Sequence, residues 1–335
     1  MIETSSHSQL FLATLCLGPR KAHGSLSVWP LLGAPAGLPA GFMLADEARA
    51  NGSFALREVS ESGHVPVLRV ANSGDLPIFL LDGEAFVGAK QNRAINLSLL
   101  VPPHDEIEIP VSCVEQGRWR HEDREFAPAQ HTEFMELRAL RMASVSDSFR
   151  QRRGATSDQS AVWERIARKS ARMGSHSRTG AMAELYASRS EDLARYETAL
   201  AMPAEACGAV YVIGGQPAGL EVFDRPAVFA ALAKRLLAGY ALDAMEVPAP
   251  PLPDDAEIAF HPDARVCRDA AMAAEAAAVE HFLASVRRLE AEAYDAPGLG
   301  RNLRLTGRTS FGATLEHEGR CIHLAAFARQ ALEAA

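Results

Sequence analysis

Hydrophobic positions recur in short runs broken by turn formers over the first 125 residues, and at helical spacing from residue 131 onward. The early runs, at 9–17, 26–32, 53–59, 65–70, 77–81, 94–101, 106–110 and 111–114, are apolar or β-branched. Between them stand Gly33-Ala34-Pro35, Asn51-Gly52, Asn72-Ser73-Gly74-Asp75, Asp82-Gly83 and Pro102-Pro103. This punctuation predicts strands joined by tight turns. Many short strands without intervening helices predict an antiparallel sandwich or open barrel.

The segments 131–149, 159–173 and 179–200 lack proline and are rich in Ala, Glu, Arg, Leu and Met, which predicts helices. Thr179 is a candidate N-cap, with Met182, Leu185, Leu193, Tyr196 and Leu200 at helical spacing behind it. A strand pair is expected at 208–213 and 220–223, then a helix opened by Asp224 and Pro226 with Phe229, Leu232, Leu236 and Tyr240 on one face. A Pro-rich connector at 247–255 leads to an Ala-rich helix from Asp263 to about Ala293. Strands close the chain near 303–306, 310–316 and 320–327. The expectation is an α+β fold: an N-terminal β-rich sandwich or open barrel (1–125), a helical middle segment (126–202), and C-terminal antiparallel strands with two helices (203–335).

Into the β-forming stretch 80–119 the chain inserts Glu84, Gln91, Asn92, Arg93, Cys113, Glu115, Arg118 and Trp119. Strands bury at least one face, so each such side chain needs a partner. The period of two puts Gln91 and Arg93 on the face of Ile95 and Leu97, and Cys113 and Glu115 on that of Val111. Two readings stand: an Arg–Glu brace between strands, or groups converging on a ligand. In the second, Arg93 and Arg118 hold an anion through paired hydrogen bonds. Gln91 and Asn92 orient it, Trp119 stacks, and Glu84 and Glu115 are the candidate catalytic acid–base residues. Cys113 reads as a small buried residue rather than a nucleophile.

His121, Glu122, Asp123, Glu125 and His131 are the best metal-ligand cluster, but their spacing matches no metal motif, and a charged loop is the expectation. His317 and His323 flank a hairpin turn and read as ordinary strand residues. The glycines of 214–219 join strand to strand, without the helix N-terminus a phosphate loop requires. No cofactor signature is read in the chain.

The charge of −8 disfavours nucleic acid and anionic lipid as partners. It is uneven: Arg138, Arg141, Arg150, Arg152, Arg153, Arg165, Arg168, Lys169, Arg172 and Arg178 face only three acids between Arg138 and Arg178, a local surplus of seven. These helices either dock on acidic surfaces of their own fold or recruit an anion or a protein partner. Five scattered cysteines without a CxxC pair predict reduced thiols in a cytoplasm. No basic region precedes the first apolar run, and no apolar stretch approaches the ~20 residues of a membrane span.

GEAFVGAKQNR (83–93), PVSCVEQGRW (110–119) and GAVYVIGGQPAGLEVFDRP (208–226) resemble the hallmark stretches of a bacterial family. It is the one named for association with ADP-ribosylglycohydrolases and the rhodanese/phosphatase superfamily, and the similarity runs from about residue 10 to 327. The resemblance implies a setting in ADP-ribose or NAD-linked metabolism and favours a ligand site over a brace. The expected function is binding of a small anionic or nucleotide-like ligand. The alternative is a non-catalytic interaction protein that docks its partner through the basic helices.

Overall fold

The computed structural model describes residues 6–34, 41–60, 66–119, 126–249 and 262–333. The architecture is α+β. Among the described residues every strand pairing is antiparallel except the short one between Met43–Leu44 and Ile78–Leu80.

The largest sheet runs from edge to edge through Cys16–Leu17, Leu26–Leu32, Gly208–Ile213, Gln216–Val222, Arg320–Ala328, Ser310–His317, Arg301–Thr306 and Glu290–Tyr294, with Lys21–His23 beside Leu26–Leu32. The sheet thus joins the first strands of the chain to the last. Its two faces are read directly from alternation. Ala209 and Tyr211 join a core with Phe229, Leu232, Leu236 and Tyr240 of the helix Pro226–Ala244. Val210 and Val212 join the opposite core with Val279, Phe282, Leu283 and Val286 of the helix Pro262–Arg287. Pro226 opens its helix at the position where a missing N–H is harmless.

A six-stranded sheet carries the N-terminal polar motifs in the order Phe126–Thr132, Glu84–Gly88, Arg93–Ile95, Asp105–Cys113, Val67–Asn72 and Phe54–Glu58. With the three-stranded sheet Leu99–Val101, Ile78–Leu80, Met43–Leu44 it encloses Leu56, Leu68, Phe86, Ile95 and Ile109. Val145 and Phe149, from the helix Met135–Arg150, complete that core.

Several elements differ from the sequence expectation, among them the helix Ala45–Ala50 within the strand-rich region and the strand Phe126–Thr132 at the start of the segment expected to be helical. Residues 9–17 are mostly helix, His7–Thr14, because Ser6 and Gln9 form a reciprocal capping box that outweighs the apolar run. The segment 179–200 breaks into Ala183–Ala187 and Ser190–Ala199. The Ala-rich helix stops at Arg287, and Glu290–Tyr294 becomes an exposed edge strand. Glu290, Glu292 and Tyr294 alternate there with alanines, a period of two whose charges suit a sheet edge. Residues 250–255 of the expected connector lie outside the described residues. No helix among the described residues is long and apolar enough to cross a membrane.

Candidate functional site

The site begins with the turn between Glu84–Gly88 and Arg93–Ile95. Gly88 and Ala89 both adopt positive φ, at 121° and 41°. For Ala89 this backbone conformation is strained by roughly 1–2 kcal/mol. Arg118 collects both carbonyls: its Nη1 donates to Ala89 O at 2.7 Å and its Nη2 to Gly88 O at 3.3 Å. The same guanidinium is braced by Glu115, with Nε 2.9 Å and Nη2 2.8 Å from Oε2. Thr179 Oγ1 donates to Glu115 Oε1 at 2.7 Å, and the Asn92 backbone N–H donates to Oε2 at 3.2 Å. Burial pushes the Glu115 carboxyl up, but Arg118, Thr179 and Asn92 outweigh it and hold it below the ordinary glutamate value. Asn92 Oδ1 accepts from Arg118 Nη2 at 3.0 Å.

Deeper in the sheet, Gln91 Oε1 accepts from Arg93 Nη1 at 2.8 Å and from the Cys113 thiol at 2.7 Å. Burial pushes that thiol up, so Cys113 is the protonated, buried residue that its strand position implies. Arg93 is fully buried, and its remaining donors, Nε and Nη2, have no hydrogen-bond partner among the described residues. Trp119 is 48% exposed. Its ring lies 5.4 Å from Lys90 Nζ and 5.8 Å from Arg93 Cζ, close enough for cation–π attraction. Gly117, Arg118, Trp119, Arg178 and Thr179 line a hollow of about 370 Å³. Gln91, Asn92, Arg93, Glu115, Arg118 and Trp119 are therefore one connected group.

Glu84 belongs elsewhere. Its Oε1 accepts from Arg235 Nη1 at 2.9 Å and its Oε2 from the Leu81 N–H at 3.1 Å. None of its described contacts reaches the other six candidates. Burial raises its carboxyl to about 7, against the pull of Arg235. His131 stacks on Tyr186 with ring centroids 3.9 Å apart, and burial lowers it to about 4. The other members of the expected His–carboxylate cluster, residues 121–125, lie outside the described residues.

Four of the ten basic residues between Arg138 and Arg178 turn inward, and the other six are exposed. Arg138 pairs with Glu221 and Arg141 with Asp82 and Glu133, all buried. Arg165 bonds Glu136 at 2.5 Å, and Lys169 bonds Asp243 at 2.6 Å. Glu136, Asp243 and Glu246 bring carboxylate oxygens within 4.8 Å of one another, the spacing a cation would use. Arg165, Lys169 and Arg172 already occupy them, which makes an ion-pair cluster the simpler chemistry.

His323 is no ordinary hairpin residue. Its Nδ1 lies 2.7 Å from Ser98 Oγ and its Nε2 2.9 Å from Glu221 Oε2. This order of groups resembles a hydrolytic relay, yet all three are buried, and the adjoining void of about 10 Å³ admits one water and no substrate. The relay therefore braces the sheet. Sequence reading missed Glu58, whose Oε1 lies 3.7 Å from Arg93 Nη2, and Lys90, Arg178, Thr179 and Arg235 as members of these groups. Only Glu58 carried a signal: it is the third residue, after Phe54 and Leu56, on the inward face of the strand Phe54–Glu58.

No curated protein and no solved structure matches this chain. The model of the ARG and Rhodanese-Phosphatase-superfamily-associated Protein domain (ARPP-1) matches residues 14–327. That match takes in both halves of the large sheet and the whole Trp119 group, so the chain belongs to the ARPP-1 family.

Proposed function

We propose that this protein binds a small anionic, nucleotide-like ligand at the Trp119 hollow, in the ADP-ribose-linked setting that the family's association with ADP-ribosylglycohydrolases suggests. One observation carries the reading: an exposed indole, backed by Lys90 and Arg93, shares an open hollow with Arg118 and Arg178. An indole face is a stacking platform for a base, and guanidinium groups beside it suit phosphate oxygens. Arg178 is exposed and free to turn toward a ligand, whereas Arg118 is held by Glu115 and the turn carbonyls. In this reading Arg93 and Arg118 supply charge, Gln91 and Asn92 fix the two guanidiniums, and Trp119 stacks. Glu115 positions Arg118, since a carboxyl held ionised is poorly suited to donate a proton. Glu84, with a carboxyl near 7, has the proton affinity of a general acid but stands outside the hollow.

A thermal-shift panel of ADP-ribose, ADP and pyrophosphate tests the proposal, because a ligand selective for the native state raises the melting temperature. ADP-ribose is expected to stabilise the wild type and to lose that effect in Trp119→Ala and Arg178→Ala. Equal shifts in all three proteins contradict it. Docking of a partner by the basic helices has less support, because Arg138, Arg141, Arg165 and Lys169 are buried in internal ion pairs.

A further inference from the structure

The small void beside His323 is lined by residues that carry unmatched polar atoms. It measures about 10 Å³, and Asp82, Ser98, Asn302 and Arg304 line it together with His323. Four atoms of three of these residues are buried without a hydrogen-bond partner among the described residues: Arg304 Nε and Nη2, Asn302 Oδ1 and Asp82 Oδ2. Each of the three residues is at most 4% exposed. Buried polar groups are normally satisfied, so four unmatched atoms around one void need a common partner.

Other contacts hold these side chains in place. Asn302 Nδ2 donates to Ser98 O at 3.2 Å, which leaves Oδ1 as the free end of the amide. Asp82 binds Arg141 through Oδ1, while its Oδ2 stands 3.6 Å from Arg138 Nη2, beyond hydrogen-bond length. The Arg304 guanidinium lies 5.2 Å from the Phe149 ring centroid, which covers a face of the group and leaves its Nε–Nη2 edge. Burial pulls that guanidinium down to about 10, although Asp82 draws it up.

We infer that this void is a binding site for one ordered water, which accepts from Arg304 and donates to Asn302 and Asp82. The groups present select that ligand. Two donor N–H groups and two acceptor oxygens match the two lone pairs and two hydrogens of a water. A halide suits the guanidinium, but the Asp82 carboxylate repels it and Asn302 Oδ1 gains nothing from it. A metal cation suits the two oxygens and is repelled by Arg304. The volume agrees, since a single water needs about 10–15 Å³ of such space. No open channel is required, because buried waters are common in globular proteins and local opening admits them. Asp82 lies between the strands Ile78–Leu80 and Glu84–Gly88, whereas Asn302 and Arg304 belong to Arg301–Thr306 of the large sheet. The water therefore joins the two sheet systems.

High-resolution crystal structures of the full chain, grown with sodium chloride and with sodium bromide in its place, test this. The result expected in both is one density peak with the scattering of a single oxygen, about 2.7–3.2 Å from Asn302 Oδ1, Asp82 Oδ2 and at least one of the two Arg304 nitrogens. No anomalous bromide signal is expected there. An anomalous peak in the void would make it an anion site and overturn the inference. Flat density between the three residues would overturn it as well, and so would Arg304 and Asp82 closing into a direct ion pair that leaves no room for a water.

Discussion

At the scale of single residues, Glu84 and His131 make opposed claims on the pH dependence of stability. Glu84 binds a proton up to about pH 7 in the folded chain, against an ordinary 4.5, so its contribution is full below 4.5 and is lost as pH rises through 7. His131 is lowered from 6.5 to about 4, so its contribution is full above 6.5 and is lost as pH falls through 4. Each amounts to roughly 3 kcal/mol at most, at 1.36 kcal/mol per unit. Between pH 4.5 and 6.5 they largely cancel. Glu84→Gln is expected to grow more stable with rising pH over this range, and His131→Phe less stable, as urea denaturation at several pH values would show. Two variants with the wild-type profile would contradict the assignment. The polarity of Glu84 in a strand was visible in the sequence; its partner Arg235, 151 positions away, was not, because nothing local marks one surface-type arginine as buried.

At the scale of elements, the helix Met135–Arg150 is the strut between the sheets. Arg138 and Arg141 lie on the same inward side as Leu137, Met142 and Val145, so its buried face sets charge among hydrocarbon. Arg141→Met strands Asp82 and Glu133 in the interior, and is expected to cost about 3–5 kcal/mol. A change under 1 kcal/mol in chemical denaturation would show that the pairs contribute little. Gly83 lies at φ 75°, where a Cβ would stand 2.7 Å from Arg138 Nε. Gly83→Ala is therefore expected to lower stability by about 1–3 kcal/mol through strain and collision, and a melting temperature equal to wild type would refute this. The helix was legible from composition and the absence of proline. The direction of its arginines was not, since a charge surplus of seven looks alike facing inward or outward until the acidic partners, Glu221 among them, are placed by tertiary structure.

At the scale of the whole molecule, the large sheet ties the chain's beginning to its end, with Leu26–Leu32 bonded along Gly208–Ile213. The strands were readable from alternation, but alternation is the same for any neighbour, so which strands pair stayed hidden. A chain beginning at residue 34 loses that strand and the helix His7–Thr14, and is expected to melt without a cooperative transition; a sharp transition near the full chain's would show the sheet tolerates their loss. The Trp119 hollow lies at the turn-bearing end of the other sheet system, where strained backbone, buried guanidiniums and an exposed indole meet. Calorimetric titration of ADP-ribose into the wild-type chain and Trp119→Ala at equal salt tests that site most directly. Stacking of one base is worth about 1–3 kcal/mol, so the wild type is expected to bind with an affinity roughly 5- to 150-fold above the variant's. Equal affinities in the two proteins, or no heat from either, would contradict a nucleotide-like ligand at this hollow.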